Sequence, residues 1–174
     1  MYSWQITKFD PEEGAMFVKN EWSSAKQLET FYDDEEQENS FFAAEDDYID
    51  VISLFMDDLD ITTLTVCELE KYNEYYGIKE LSKQYPSFYP KEMMELFDTL
   101  AENDVLTMDK IDMVCKLIMR SHVWCILKSE KLEVQFGNDC NMFISSEKPC
   151  KKALSQIEEI DVRICDCSGM KNDL

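Results

Sequence analysis

One stretch with charge of a single sign constrains most strongly how this chain can fold. Residues 27–70 contain fifteen aspartates and glutamates and no lysine or arginine, whereas the other residues hold 22 acids and 17 bases. Neighbouring like charges oppose compaction, so this stretch can fold only where its apolar residues pack against the rest of the chain. With 45% hydrophobic residues in 174 positions, the chain can supply that core.

An amphipathic helix is predicted over residues 45–59 inside this acidic stretch. At 100° per residue, one face collects the apolar side chains Tyr48, Val51, Ile52, Phe55 and Leu59. The opposite face carries Asp46, Asp50, Ser53, Asp57 and Asp60. Asp57, Asp58 and Asp60 crowd the negative end of the helix dipole, which helix propensity does not explain. Residues 33–40, where acids adjoin, are predicted to form a loop.

The other elements follow from alternation and from helix boundaries. Strands are predicted at residues 2–9, 17–18, 62–69, 123–128, 131–136, 142–145 and 161–167. Further helices are predicted at residues 25–32, 91–102, 107–121 and 151–158, and residues 70–89 read as irregular. Helices and strands come in blocks without a βαβ rhythm. We therefore expect a single α+β domain over residues 1–167, with an antiparallel sheet, packed helices and a disordered tail at 168–174.

Catalytic motifs are not found in the sequence, and no catalytic residue is predicted. His122 is the single histidine, and at the end of an apolar helix it is expected to be a partner of the helix dipole. There is no GxSxG elbow and no glycine-rich phosphate loop. The 37 acids form so many possible pairs that no pair indicates glycoside hydrolysis. We expect a protein that is not an enzyme and needs no cofactor.

The cysteines indicate a reduced protein. Their number is odd and their positions are scattered: Cys67, Cys115, Cys125, Cys140, Cys150, Cys165 and Cys167. For the close pair at 165 and 167 we expect one buried and one half-exposed thiol. The acidic run lacks the glycine of an EF-hand loop, so no metal site is predicted. Without a signal peptide or an apolar run of about 20 residues, a soluble cytoplasmic protein is expected.

The net charge also limits the classes of partner that the protein can bind. A net charge of −20 repels nucleic acid and anionic membranes, whereas a basic protein surface is complementary to it. Such an acidic surface raises association rates, and aromatic residues beside it can supply apolar anchors. The predicted partner-binding residues are Asp33, Asp34, Glu35, Glu36, Asp46, Asp50, Asp57, Asp60, Tyr32 and Phe42. The alternative interpretation is a solvated acidic face without a partner. The oligomeric state is left open.

Three short motifs suggest a family resemblance. They are Trp4-x-Ile6-Thr7-Lys8-x-Asp10-Pro11, then Glu21-Trp22-Ser23-Ser24, and later Phe136-Gly137-x-Asp139-x-x-Met142-Phe143-Ile144. They resemble small bacterial immunity proteins of contact-dependent or polymorphic toxin systems. The resemblance implies a cytoplasmic protein that binds one cognate toxin domain, frequently a basic nuclease, and blocks it. It implies no particular binding residues, since such proteins vary at their contact surfaces.

Two alternatives stay open at this point. A DNA-mimic inhibitor of a DNA-binding or restriction enzyme would use the same electrostatics against a broader range of targets, with carboxylates spaced like phosphates. A small hydrolase could use a pair of carboxylates as acid and base.

Overall fold

The computed structural model describes residues 1–8, 35–72, 77–137 and 141–168. The strands in these ranges are β1 Tyr2–Thr7, β2 Thr63–Lys71, β3 Val105–Thr107, β4 Val123–Lys128, β5 Leu132–Phe136, β6 Met142–Ser146 and β7 Arg163–Asp166. The helices are α1 Glu35–Leu59, α2 Ile78–Gln84, α3 Lys91–Thr99, α4 Met108–Met119 and α5 Lys151–Ile157. The predicted α+β class is confirmed.

All seven strands belong to one antiparallel sheet in the order β3-β2-β4-β5-β6-β1-β7. Their side chains alternate as a sheet with one packed face requires: in β5, Leu132, Val134 and Phe136 are buried and the residues between them are half-buried. This alternation is visible in the sequences of β1, β2 and β5, whereas β4 is a run of five apolar residues that ends in a lysine.

Helix α1 supplies much of the core on the packed face of the sheet. Its five predicted apolar residues, from Tyr48 to Leu59, are all buried. The ring centroids of Phe55 and of Trp4 in β1 lie 5.1 Å apart. Those of Tyr48 and of Phe136 in β5 lie 6.2 Å apart, with the rings edge-on. Helices α4 and α5 flank α1. The predicted apolar face of α1 therefore packs against the sheet.

The start of α1 differs from the prediction. The helix begins at Glu35, so the expected loop at 33–40 is wrong from Glu35 onward. Acids in a first helical turn face the positive end of the helix dipole, and this attraction offsets their mutual repulsion.

Smaller elements were also missed. Strand β3 has three residues, too few to show alternation, and α2 forms inside the stretch expected to be irregular.

In β2 a bulge follows Cys67, where Glu68 has a φ of 56°. The carboxylate of Glu102 accepts hydrogen bonds from the N–H groups of Glu68 at 3.0 Å and Leu69 at 2.8 Å, which secures the bulge.

Some predicted elements cannot be compared. The strand at 17–18 and the helix at 25–32 lie outside the described residues, as do residues 169–174 of the predicted tail. Ser168, the first residue of that tail, is hydrogen-bonded: its Oγ accepts from the N–H of Ser3 at 3.1 Å.

Candidate functional site

The exposed acids of α1 form the candidate binding surface. Asp46, Asp50 and Asp57 are exposed on the side of α1 away from the sheet. Asp60 is exposed too, but it follows the helix and has a φ of 53°, a left-handed conformation that a short polar residue tolerates. The predicted stripe is therefore present at the surface, with its last member in the turn that leads to β2.

Asp46 is partly neutralised within the fold. Lys116 of α4 lies between two carboxylates, with Nζ 3.4 Å from Asp46 and 3.0 Å from Asp112. Burial lowers the pKa of Lys116, but hydrogen bonds and charges from Asp112 and Asp46 outweigh it and raise the pKa overall. Asp50, Asp57 and Asp60 have no ion pair with any other described residue. We call these three the free acidic stripe.

Other acids of α1 are used to hold the fold together. The carboxylate of Asp47 pairs with Lys8 at the end of β1, and Lys8 also lies 3.1 Å from Asp161. Asp58 accepts a hydrogen bond from the backbone N–H of Ala153 at 2.9 Å, in the first turn of α5. This contact explains why an acid is kept near the unfavourable end of α1.

A buried ion pair lies at the centre of this network. Glu45 of α1 and Arg120, which follows α4, are 0% and 4% exposed. Their hydrogen bonds are bidentate, Nε to Oε1 at 2.8 Å and Nη2 to Oε2 at 2.7 Å. Burial raises the pKa of Glu45, against the lowering effect of the Arg120 guanidinium.

The same guanidinium organises the segment before α3. It donates to the carbonyl oxygen of Phe88 and lies 5.3 Å from the ring centroid of Tyr89. The hydroxyl of Tyr89 is 2.9 Å from Nε2 of His122, which is 3% exposed. Burial, helped by the charge of Arg120, lowers the pKa of His122 to about 4. The expectation of a charged dipole partner is therefore wrong: His122 is a neutral, buried ring.

The buried cluster of Glu45, Arg120, Tyr89 and His122 is structural. A substrate has no access to groups this deeply buried, and in the described ranges every buried side-chain nitrogen and oxygen has a hydrogen-bond partner. The position of Glu45 in the sequence is one indication of this buried cluster. Glu45 lies three residues before Tyr48 and seven before Ile52, which places it at the edge of the apolar face of α1.

The structure shows how deeply most of the cysteines are buried and whether the described residues could hold a metal ion. Cys115, Cys125 and Cys150 are buried, and burial raises the pKa of Cys125 to about 12, which keeps its thiol protonated. Cys165 is exposed and Cys167 half-exposed, so the expectation that one of the two is buried is wrong. Cys140 lies outside the described residues. Within those residues, no group of three histidine, cysteine or acidic side chains is placed to hold a metal ion.

The remaining predicted contact residues stay predictions. Tyr32, Asp33 and Asp34 lie outside the described residues. Glu35, Glu36 and Phe42 belong to α1, and only their backbone is described.

Comparison with known proteins gives no further guide to function. No family model, no curated protein and no solved structure matches the chain. The resemblance to immunity proteins therefore rests on the three sequence motifs alone. None of the described helices has both the length and the apolarity needed to cross a membrane.

Proposed function

We propose that this chain is an immunity-type binding protein that neutralises a basic toxin domain, such as a nuclease, in the cytoplasm. The observation that carries the proposal is the free acidic stripe: Asp50, Asp57 and Asp60 are exposed, and none has an ionic partner among the described residues. Carboxylates placed in this way can pair with the lysines and arginines that a nuclease uses to hold phosphate.

The stripe lies on a fixed support. Glu45, Asp47 and Asp58 tie α1 to Arg120, to the end of β1 and to α5. Since α1 is held at these three points, little order has to be gained when the carboxylates meet a partner, which lowers the entropic cost of binding. One-signed surface charge also steers a basic partner toward the stripe and raises the association rate.

Affinity requires apolar contacts in addition to charge. We assign these to Tyr32 and Phe42, which lie beside the acids in the sequence, because desolvated aromatic anchors carry most of the binding energy at interfaces. The charge then governs the association rate, and the anchors govern the dissociation rate.

The test begins with capture of basic proteins on the full chain from its native host. Association of the captured protein is then measured at about 50 mM and 500 mM salt, since screening lengths fall severalfold over this range. The test variant is Asp50→Asn with Asp57→Asn and Asp60→Asn, in which asparagine keeps the left-handed backbone at position 60. At low salt we expect a loss of roughly tenfold in association rate, within the range of electrostatic steering.

The matched control removes the same charge elsewhere, with Glu92→Gln, Glu130→Gln and Glu158→Gln, all three exposed in the structure. It should leave the association rate nearly unchanged. Equal loss in both variants would mean that only the net charge counts, and a rate independent of salt would refute the proposal.

The same assay separates the proposal from DNA mimicry. A mimic inhibits several unrelated DNA-binding proteins, whereas an immunity protein inhibits one. Inhibition of a panel of such proteins would therefore favour the DNA-mimic alternative.

A further inference from the structure

Strand β7 leaves one of its edges without a partner in the described part of the sheet. Among the strands that the structure describes it pairs only with β1, with Cys165 opposite Gln5 and Ile164 opposite Ile6. The N–H of Cys167 donates to the carbonyl oxygen of Ser3 at 2.8 Å. Since backbone groups alternate in direction along a strand, those of 163, 165 and 167 point toward β1. The backbone groups of Ile164 and Asp166 therefore point away from the sheet.

The side chains of β7 alternate as well. Ile164 lies on the same face as Ile6, which is buried in the core, whereas Cys165 lies on the opposite face and is exposed. At its ends the strand carries Arg163 and Asp166, whose charges are opposite. The strand itself therefore carries one positive and one negative side chain, whereas the chain as a whole has a net charge of −20.

We propose that β7 pairs antiparallel with β7 of a second copy of this chain, about a two-fold axis at Cys165, and that a disulfide between the two Cys165 residues locks the pair. The register follows from the backbone. With Cys165 opposite its own copy, each Ile164 faces the other chain's Asp166, and all outward N–H and C=O groups of β7 are paired.

The neighbouring registers fail on contacts seen in the structure. A shift that places Ile164 opposite itself requires Asp166 to pair with Val162, whose N–H already bonds to Ile160 at 2.8 Å. The opposite shift requires Ile164 to pair with Ser168, whose N–H already bonds to the Asp166 carboxylate at 2.8 Å. That shift would also place two Asp166 side chains directly opposite each other, which destabilises strand pairing.

The geometry suits a disulfide. Because the backbone groups of Cys165 point toward β1, Cys165 and its copy form a non-hydrogen-bonded pair, in which the Cα atoms lie about 4.5 Å apart. Disulfides bridge Cα atoms about 4.4–6.8 Å apart. Within one chain, Cys165 and Cys167 are two strand residues apart, or about 6.6 Å, at the far end of that range.

The covalent step is thiol–disulfide exchange with a small-molecule disulfide as the oxidant. The Cys165 thiolate attacks one sulfur of the small disulfide, forms a mixed disulfide and releases one small thiolate. The second copy's Cys165 thiolate then displaces the other small thiolate. The two small thiolates take up the two protons that the cysteines lost, so two thiols and one disulfide are exchanged for one disulfide and two thiols.

The covalent bond matters because the strand contact is small. A strand of four residues buries far less than the roughly 1,000 Å² that a stable protein interface needs, so the pairing alone is weak. The net charge of −20 on each chain opposes association further, and salt screens this repulsion. The dimer should therefore accumulate under thiol-oxidising conditions and dissociate on reduction.

The test treats the purified full chain with oxidised glutathione at physiological salt and follows dimer formation by non-reducing electrophoresis, with mass spectrometry of the linked peptides. The wild-type chain and Cys167→Ser should give a dimer linked through Cys165 on both sides. Cys165→Ser should give none. A dimer that persists in Cys165→Ser, or a wild-type product that is only monomeric, would overturn the proposal.

A second pair of variants separates strand pairing from random collision of exposed thiols. Asp166→Pro removes an N–H that points away from β1, so it breaks half of the hydrogen bonds between copies and none to β1. Asp166→Ala keeps that N–H. The proline variant should form the dimer about tenfold more slowly than the alanine variant, from the net worth of the lost hydrogen bonds. Equal rates would overturn the proposal.

Hydrogen exchange provides an independent measurement in case the proline variant fails to fold. In the wild-type dimer the amides of Ile164 and Asp166 should exchange more slowly than in the reduced monomer. Unchanged exchange at both amides would contradict strand pairing.

Discussion

Removal of the charge of Glu45 should destabilise this protein more than any single change at its acidic surface. Glu45→Gln keeps the size of the side chain but leaves the Arg120 guanidinium buried without its counter-charge, since both residues are at most 4% exposed. Breaking a buried pair on one side costs about 3–5 kcal/mol. For a chain of this length that corresponds to a decrease in Tm of about 6–20 °C.

The assay is urea and thermal unfolding followed by circular dichroism, with Asp46→Asn as the control. Asp46 is the neighbour of Glu45 in sequence, but its side chain is 68% exposed, so its loss should change the free energy of unfolding by less than about 1 kcal/mol. If Glu45→Gln cost no more than Asp46→Asn, the view that the pair is desolvated would be refuted.

The double variant Glu45→Leu with Arg120→Met completes the argument. Apolar side chains remove both desolvated charges together, and such replacements are often neutral or stabilising. In the double variant the carbonyl oxygen of Phe88 loses the hydrogen bond that Arg120 donates, and this loss offsets part of the stability gained. We therefore expect the double variant to be more stable than Glu45→Gln. A double variant less stable than the single one would show that the pair is worth more than its desolvation costs.

Two further predictions concern pH and helix capping. The unfolded chain protonates His122 near pH 6.5, whereas the folded chain does so only near pH 4, so stability falls as pH decreases between these values, by up to about 3 kcal/mol. His122→Gln should flatten this part of the unfolding free energy measured against pH, and an unchanged slope would contradict the neutral buried ring. Asp58→Ala should cost about 0.5–2 kcal/mol in urea unfolding, because α5 loses the acceptor for the N–H of Ala153. Asp57→Ala, one residue earlier and exposed, is the matched control and should cost less.

Local patterns were sufficient to predict much of the fold. In β1 the alternation of apolar and polar residues predicted the strand, and the meander from β4 to β6 was predicted as three successive short strands. The apolar spacing of α4, from Met108 to Met119, predicted that helix in the same way. In β1, β5 and α4 the buried side chains recur at a regular spacing along the segment, so the pattern can be recognised without knowledge of the rest of the chain.

Strand β3 and the buried ion pair, neither of which was predicted, depend on partners that are distant in the sequence. Strand β3 consists of three residues, and it is ordered by pairing with β2 about forty positions earlier, Thr107 opposite Thr63 and Val105 opposite Thr65. The pair of Glu45 and Arg120 spans 75 positions. A periodic pattern within one segment cannot predict such contacts, because they form only when two distant elements pack together in the folded chain.

Position around α1 distinguishes the three acids that tie the helix to its neighbours from the two helical members of the free acidic stripe. At 100° per residue, Glu45, Asp47 and Asp58 lie roughly 60–100° from the centre of the apolar face, close enough for their side chains to reach the elements packed there. Asp50 and Asp57 lie roughly 155–175° away, and nothing among the described residues pairs with them. The same negative charge therefore has two uses in one helix. The angle is not the whole reason, because Asp46 also lies on the far side of the helix and still pairs with Lys116 of α4. A binding partner should consequently be sensitive to the distant acids, and the free energy of unfolding to the near ones.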